Sequence, residues 1–456
     1  MARRGRRRCV LAVGALLTAL IIPTVSVSAA PGSTGGTGRS LDPTTQFYVP
    51  EPDHGAIDQI ATLTSGDDTA DADLIRGMIE TPQAVWFTSG TPQSVQRDVK
   101  DIVQRAAGKG TIPVLVVYNV PGRDCAQYSA GGAATGDAYK AWIDGFAAGL
   151  GDQKAVVLVE PDGLALLPTD CGQPDPYNRV SLINYAAHAL LRAPNASVYL
   201  DAGNSAWHSV GDMATRLAAA GVQDVQGFAQ NVSNYQPTAN EVTYSTWISE
   251  CLAFANDAEE GGWRLNHYDY CASQYYSPDG PVDPNDISTW HYTDQWYAAN
   301  MGHAVPQTHF VIDTSRNGQG PWTAPANHPA GDPQTWCNPP ARGLGLRPTA
   351  NTGKPLVDAY FWVKTPGQSD GQCYRWTSGP LDPVRGTQDP AAGQWFPAMA
   401  LELARFQLTP APPGGGPAAT PELGSGELLA TGLIPLLVVG LYSRRRARVR
   451  GRTRPA

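Results

Sequence analysis

The run Ala155–Leu164, AVVLVEPDGL, constrains this chain more than any other stretch. Val156–Val159 is apolar, rich in β-branched residues and too short for a helix, which predicts a fully buried strand of a parallel sheet. Glu160 and Asp162 follow at once. Pro161 between them has no N–H to give a ladder, so the strand stops there. Asp162 then stands at the carboxyl end of a buried strand, where α/β barrels place their chemistry. A lone aspartate here could equally cap a following helix. The rest of the chain decides between the two.

The same grammar repeats along the sequence. Strands are expected at Ala84–Phe87, Ile112–Tyr118, Ser197–Leu200, Val225–Phe228, Phe310–Ile312 and Ala359–Val363. Helical spacing of apolar residues falls between them, at Gln93–Ala107, Ala138–Leu150, Asn178–Arg192 and Val210–Ala220. A polar residue stands just past almost every strand. The expected fold is α/β: a distorted (β/α) barrel with a parallel sheet, forming a single catalytic domain over 42–408. Gln236–Gly302 breaks the rhythm. It is rich in Trp, Tyr, Asp and Asn, contains Cys251 and Cys271, and reads as a functional loop or lid at the active end.

Both ends read as processing or targeting segments. Met1–Arg8 is basic, Val10–Ile22 apolar, and Val27-Ser28-Ala29 offers a small-residue cleavage pattern, so 1–29 is expected to be a secretory signal peptide. Residues 409–427 form a Pro/Gly linker. Within 428–456, Leu428-Leu429-Ala430-Thr431-Gly432 precedes an apolar run and an arginine-rich tail. That resembles a bacterial cell-wall sorting signal open to sortase processing, although Leu429 stands where Pro or Ala is usual. A short membrane anchor with positive-inside arginines is the other reading. The protein is therefore expected to be secreted and tethered to the cell wall or the outer face of the membrane. Twelve of the 33 basic residues lie in these two ends, which carry no acid; 21 remain against 41 acids. A surface so acidic excludes nucleic acid as a partner and suits an uncharged polymer. Six cysteines remain after the leader, and in an exported protein they argue for disulfides.

Several chemistries can be set aside. There is no GxxxxGK[ST] or HExxH, and no CxxC or paired-His spacing, so neither a metal nor a cofactor is expected. What recurs is carboxylates at strand ends: Asp124, Asp162, Asp201 and Asp370. Trp86, Trp207, Trp322 and Trp336 lie around them. Tryptophan faces stack on sugar rings, and carboxylate pairs run glycoside hydrolysis. Core packing is the plainer explanation for any one of these tryptophans.

The blocks VVYNVPGRDCAQYSAGG (Val116–Gly132) and LVEPDGLA (Leu158–Ala165) resemble the two signature motifs of glycoside hydrolase family 6, the inverting endoglucanases and cellobiohydrolases. The resemblance continues through LDAGNSAW (Leu200–Trp207), GFAQNVSNY (Gly227–Tyr235), FVIDTSRNG (Phe310–Gly318), WCNPPARGLG (Trp336–Gly345) and KTPGQSDGQC (Lys364–Cys373). It implies Asp162 as general acid, Asp124 as the carboxyl that assists it, and Asp370 as the proposed base. Tyr118 matches the tyrosine under the distorted sugar, and Asp201 a further aspartate of the cleft. Trp86, Trp207, Asn234, Trp336 and Lys364 match sugar contacts. Asn204 and Gln368 occupy sugar-contact positions where the family commonly has His and Glu; both keep hydrogen-bonding ability but lose a titratable group. Cys125–Cys171 and Cys337–Cys373 match the family's disulfides, which leaves Cys251 with Cys271.

The resemblance implies hydrolysis of β-1,4-glucosidic bonds in cellulose or a related β-glucan, by a monomer. A cellobiohydrolase, or a weakly catalytic carbohydrate-binding surface protein on the same scaffold, is the alternative. Exo enzymes of the family roof the cleft with two loops, one between the WCNPP and K-x-P-G blocks. Trp336 to Lys364 is short and rich in Gly and Pro, so endo action is expected. The 236–302 insertion is expected to shape one rim.

Overall fold

Seven short parallel strands pair in chain order: β1 (Val85–Phe87), β2 (Val114–Val117), β3 (Ala155–Val159), β4 (Ala196–Asp201), β5 (Gly227–Gln230), β6 (His309–Asp313) and β7 (Val357–Phe361). The structure is a computed structural model and describes residues 41–258, 262–282, 287–325, 334–375, 377 and 379–408. The expected leader, linker and sorting-like tail lie outside these residues.

Both faces of the sheet are buried, which is why most of the strands read as apolar runs. Leu115, Val117, Val157, Val159, Val198 and Leu200 face the helices. Val114, Val116, Val156, Leu158, Tyr199 and Val311 alternate with them and fill the inside of the curl, with Phe361. The two edges approach one another: the Ala84 N–H donates to the Trp362 carbonyl (3.0 Å), and the Trp86 indole N–H to that of Val363 (2.8 Å). β1 and β7 form no ladder, so the barrel is distorted rather than evenly closed.

The helices in chain order are α1 (His54–Ser65), α2 (Thr69–Ile79), α3 (Pro92–Gly108), α4 (Gly136–Leu150), α5 (Arg179–Leu190), α6 (Val210–Ala219), α7 (Thr238–Asn256), α8 (Trp290–Asn300) and α9 (Pro397–Arg405). α3 starts on a reciprocal cap, in which the Thr91 hydroxyl accepts the Ser94 N–H and the Ser94 hydroxyl accepts that of Thr91. Helices α1, α2 and α9 were not anticipated from the sequence. They share a separate apolar cluster that includes Ala56, Ile75, Met78, Trp362, Met399 and Leu403.

The insertion differs from its expected form. Parallel strands need a crossover, and α7 supplies it between β5 and β6. Trp247, Ile248, Leu252 and Phe254 of α7 are buried in the main core, so much of the segment is outer wall rather than lid. Its polar and apolar positions are scattered round the helix, which hid it from a periodicity argument. Cys251–Cys271 ties α7 to the returning chain. That return reaches the strand ends at Gln274, whose amide donates to the carbonyls of Ser205 and His208 (both 2.9 Å).

Candidate active site

The strand carboxyl ends deliver the acids. β2 runs through Tyr118 into a turn where Asp124, Cys125 and Ala126 have φ of 58°, 45° and 65°. Three successive non-glycine residues in the left-handed region cost about 1–2 kcal/mol each, so the turn has to be held from outside. The Cys125–Cys171 disulfide holds it, and the Ser129 N–H donates to Asp124 Oδ2 (2.6 Å). The Arg123 guanidinium donates to the carbonyls of Tyr118, Thr88 (2.8 Å) and Ser129 (2.9 Å), and lies 4.6 Å from the Tyr118 ring centre. Backbone strain of this kind clusters at functional sites.

Asp162 is half-buried, with φ 63°. No α-helix starts there; turns follow, so it is not a helix cap. Its N–H donates to Asp201 Oδ1 at the end of β4 (2.8 Å), while the buried Oδ2 of Asp201 has no hydrogen-bond partner. Asp370 is fully engaged. Arg316 Nη1 donates to both of its oxygens (2.9 Å each), and the Tyr235 hydroxyl (3.1 Å) and Asn338 N–H (3.0 Å) donate to Oδ2. Lys364 Nζ lies 3.3 Å from Oδ1.

These surroundings drive the carboxyls apart. Burial, then the charges of Asp124 and Asp370, push Asp162 up to about 7. Burial lifts Asp124 to about 6, against the Ser129 N–H and Arg123. Burial and the neighbouring Asp162 charge raise Asp201 well above the carboxylate range. Burial would raise Asp370 too, but the charges of Arg316 and Lys364 outweigh it and hold that carboxyl below its ordinary value. One acid that keeps its proton to near neutrality, beside another that does not, is the division of labour acid/base catalysis needs.

Asp124, Asp162, Asp201, Asp370, Tyr118 and Lys364 thus form one electrostatic group. Trp86 meets the Tyr118 ring edge-on (5.4 Å, 90°). Trp207 is half-buried and stacks on His208, on the loop after β4; Asn204, buried on the same loop, accepts the Ala206 N–H (3.0 Å). Asn234 is half-buried after β5 and accepts the Tyr235 N–H (2.9 Å). Trp336 is half-buried, 6.0 Å from Tyr128. Gln368 points elsewhere: its amide donates to Asp53 Oδ2 (2.9 Å), at the start of α1. Trp322 lies beside the Arg375 guanidinium (5.0 Å).

Arg316, Asn338, Tyr235 and Glu241 are not among the site residues expected from the sequence, and Asp313 is expected only as the polar residue that ends a strand. Asp313 ends β6 and accepts four backbone N–H groups, from Ser315 (2.9 Å) and Val363 (3.1 Å) on one oxygen, and from Ser233 and Lys364 (3.0 Å each) on the other. It joins the loops after β5 and β7. Glu241 of α7 accepts the Ser205 N–H (3.0 Å), anchoring the Trp207 loop. Arg316 lies three residues past a strand-end aspartate, a signal that was available. Asn338 and Glu241 carry none, because their partners are remote in sequence.

Stability should fall as pH rises. Asp124, Asp162, Glu160, Glu241 and Glu250 all have folded-state values lifted to about 6 or 7, with burial the largest cause of each. Such groups bind more protons folded than unfolded between their ordinary value near 4 and the raised one, so stability declines across that window. Asp370, held low, works the other way but only below its ordinary 3.8. The melting temperature is expected to be several degrees higher at pH 5 than at pH 8. A melting temperature that is level or rises over this range would contradict the assignment.

A parallel barrel with a cluster of carboxyls at its strand ends, beside Trp and Tyr side chains, has the architecture of the glycoside hydrolases. The chain belongs to glycosyl hydrolases family 6, whose family model matches residues 42–406. It is 35% identical to Endoglucanase A of Cellulomonas fimi over 369 residues, which cover 81% of this chain and 61% of that protein. It is 32% identical to Endoglucanase 1 of a Streptomyces strain, covering 88% and 94%. The chain spans less than two thirds of the length of the Cellulomonas protein. Among solved structures it resembles the endoglucanase Cel6 of Mycobacterium tuberculosis, with TM-score 0.59 and 33% identity over 81% of this chain and 99% of that one.

Proposed function

We propose that this protein hydrolyses β-1,4-glucosidic bonds of cellulose or a related β-glucan with inversion, and that it cuts internally. One observation carries the reading: at the strand ends Asp162 lies within reach of the charges of Asp124 and Asp370, while Asp370 is itself gripped by Arg316 and Lys364. Asp162 gives its proton to the glycosidic oxygen as the bond from C1 to that oxygen breaks. Water attacks C1 from the opposite face and loses its proton toward Asp370, directly or through further water. With five donor contacts Asp370 is a weak base, which favours relay through water and a second role in stabilising the positive charge at C1. Asp124 keeps Asp162 protonated by like-charge repulsion. Tyr118, Trp86, Trp207, Asn204, Asn234, Trp336, Lys364 and Gln368 are proposed to contact sugar, Gln368 only if it releases Asp53.

The path of residues 341–346 supports an open cleft. Ala341 and Leu344 bond to Glu402 and Leu403 on α9, and Arg342 to the carbonyls of Gly320 and Pro321. This chain runs along the body of the domain. Export by the basic leader, three disulfides and surface attachment through the tail complete the proposal.

Proton NMR during hydrolysis of a soluble β-glucan should show the α-anomer first, while carboxymethyl cellulose loses viscosity much faster than reducing ends accumulate. The β-anomer first would sink inversion. Cellobiose as almost the sole early product, with little change in viscosity, would make the enzyme a cellobiohydrolase.

A further inference from the structure

Glu160 is fully buried, directly past β3, and none of the steps above uses it. Its φ of 53° is left-handed. Its carboxyl reaches sideways across the sheet to the loop after β2: Oε2 accepts the N–H groups of Asn119 (3.1 Å) and Val120 (3.0 Å), and Oε1 also lies 3.0 Å from the Asn119 nitrogen. Those are the two amides immediately after Tyr118. The same loop is caught again two residues later, where buried Arg179 donates to the carbonyls of Pro121 (2.9 Å) and Gly122 (3.0 Å). The strained Asp124 turn follows directly. In the other direction, Pro161 alone separates Glu160 from Asp162. The side chain is therefore a strut between the strand bearing the acid and the loop bearing its assisting aspartate.

We infer that Glu160 is a positioning residue: through the amides of Asn119 and Val120 it sets the spacing of Asp124 and Tyr118 from Asp162 without touching substrate. The inference deepens the proposed function and rests on its assignment of Asp162 and Asp124. Two features favour this over a merely structural part. The bonds join two catalytic loops rather than closing a loop on itself. One carboxyl oxygen, Oε2, also serves both amides. A glutamine can keep that grip, with its carbonyl oxygen accepting both amides. An alanine cannot.

The test compares Glu160→Ala with Glu160→Gln. Alanine should lower kcat on soluble glucan about 10- to 100-fold and change KM far less. The alkaline limb of its kcat/KM profile should move to lower pH, because Asp124 relaxes away and no longer holds the proton on Asp162. Glutamine should restore kcat to within about threefold and return the limb, the geometry being what matters. An alanine variant that melts lower but keeps its limb and its kcat per folded molecule would overturn the inference, as would a glutamine variant as impaired as alanine. Should alanine fail to fold, amide hydrogen exchange of Asn119 and Val120 in the wild type and the glutamine variant decides. Exchange as slow as that of β2 in both is the expected result, and solvent-like exchange in either overturns the inference. This last measurement uses no substrate, so it separates failure of the strut from failure of the glucanase reading.

Discussion

Asp162→Asn should abolish useful turnover of cellulose, with a loss of about 10²–10⁴-fold, the usual contribution of a positioned general acid. The amide matches the carboxyl in size, and the backbone N–H that bonds Asp201 is untouched, so the cleft should keep its shape. What is lost is the transferable proton. A leaving group that departs as a stable anion needs none, so an aryl cellobioside with a nitrophenolate leaving group should retain much more of its rate than cellulose does. The substitution also removes the charge that helps raise Asp201, whose pKa should fall. Steady-state rates on amorphous cellulose and on the activated substrate check this directly. Full activity of the variant on cellulose would remove Asp162 from the mechanism.

Arg316→Met should be the most destabilising single change at the site. Arg316 is fully buried; it grips both oxygens of Asp370, donates to the Ser233 carbonyl, and lies 4.4 Å from the Tyr235 ring centre. Removing it leaves a buried carboxylate with Lys364 as its remaining cation. Breaking one side of a buried pair costs about 3–5 kcal/mol. The Asp370 pKa must also rise, so the acid limb of the activity profile should move toward neutrality. Pairing the change with Asp370→Asn should recover part of the stability, since the stranded charge goes with it. Denaturant unfolding of both single variants and the double variant measures the coupling. A loss under about 1 kcal/mol for Arg316→Met would show that the pair is solvated rather than buried.

The local signals in the chain were sufficient for the sheet. Each of the seven strands has its short apolar run, because a doubly buried parallel strand is mostly apolar, and the buried Asp358 of β7 is met by His309 of β6 (2.8 Å). Asp124, Asp162, Asp201 and Asp370 could be picked out because each follows a strand or a recognisable block. The insertion was harder. α7 lies deep in the wall, and with apolar contacts on several sides it lacks the one-sided stripe that marks a surface helix. Helix α9 is remote in sequence from α1 and α2, and the three make sense only as one cluster.

Sequence by itself determined the parallel α/β plan, the family, and the residue types that gather at the strand ends. Those follow from burial and alternation, which act over a few neighbouring positions. Only the tertiary structure decided the surroundings of each carboxyl. Asp162 and Asp370 are the same side chain, yet one is raised by burial and like charge and the other held low by Arg316 and Lys364. The four backbone amides on Asp313, the bond from Gln368 to Asp53, and the reach of Glu160 across the sheet are likewise contacts between distant segments. Electrostatic free energy depends on distance and on exclusion of water, and neither is a property of a residue's neighbours along the chain.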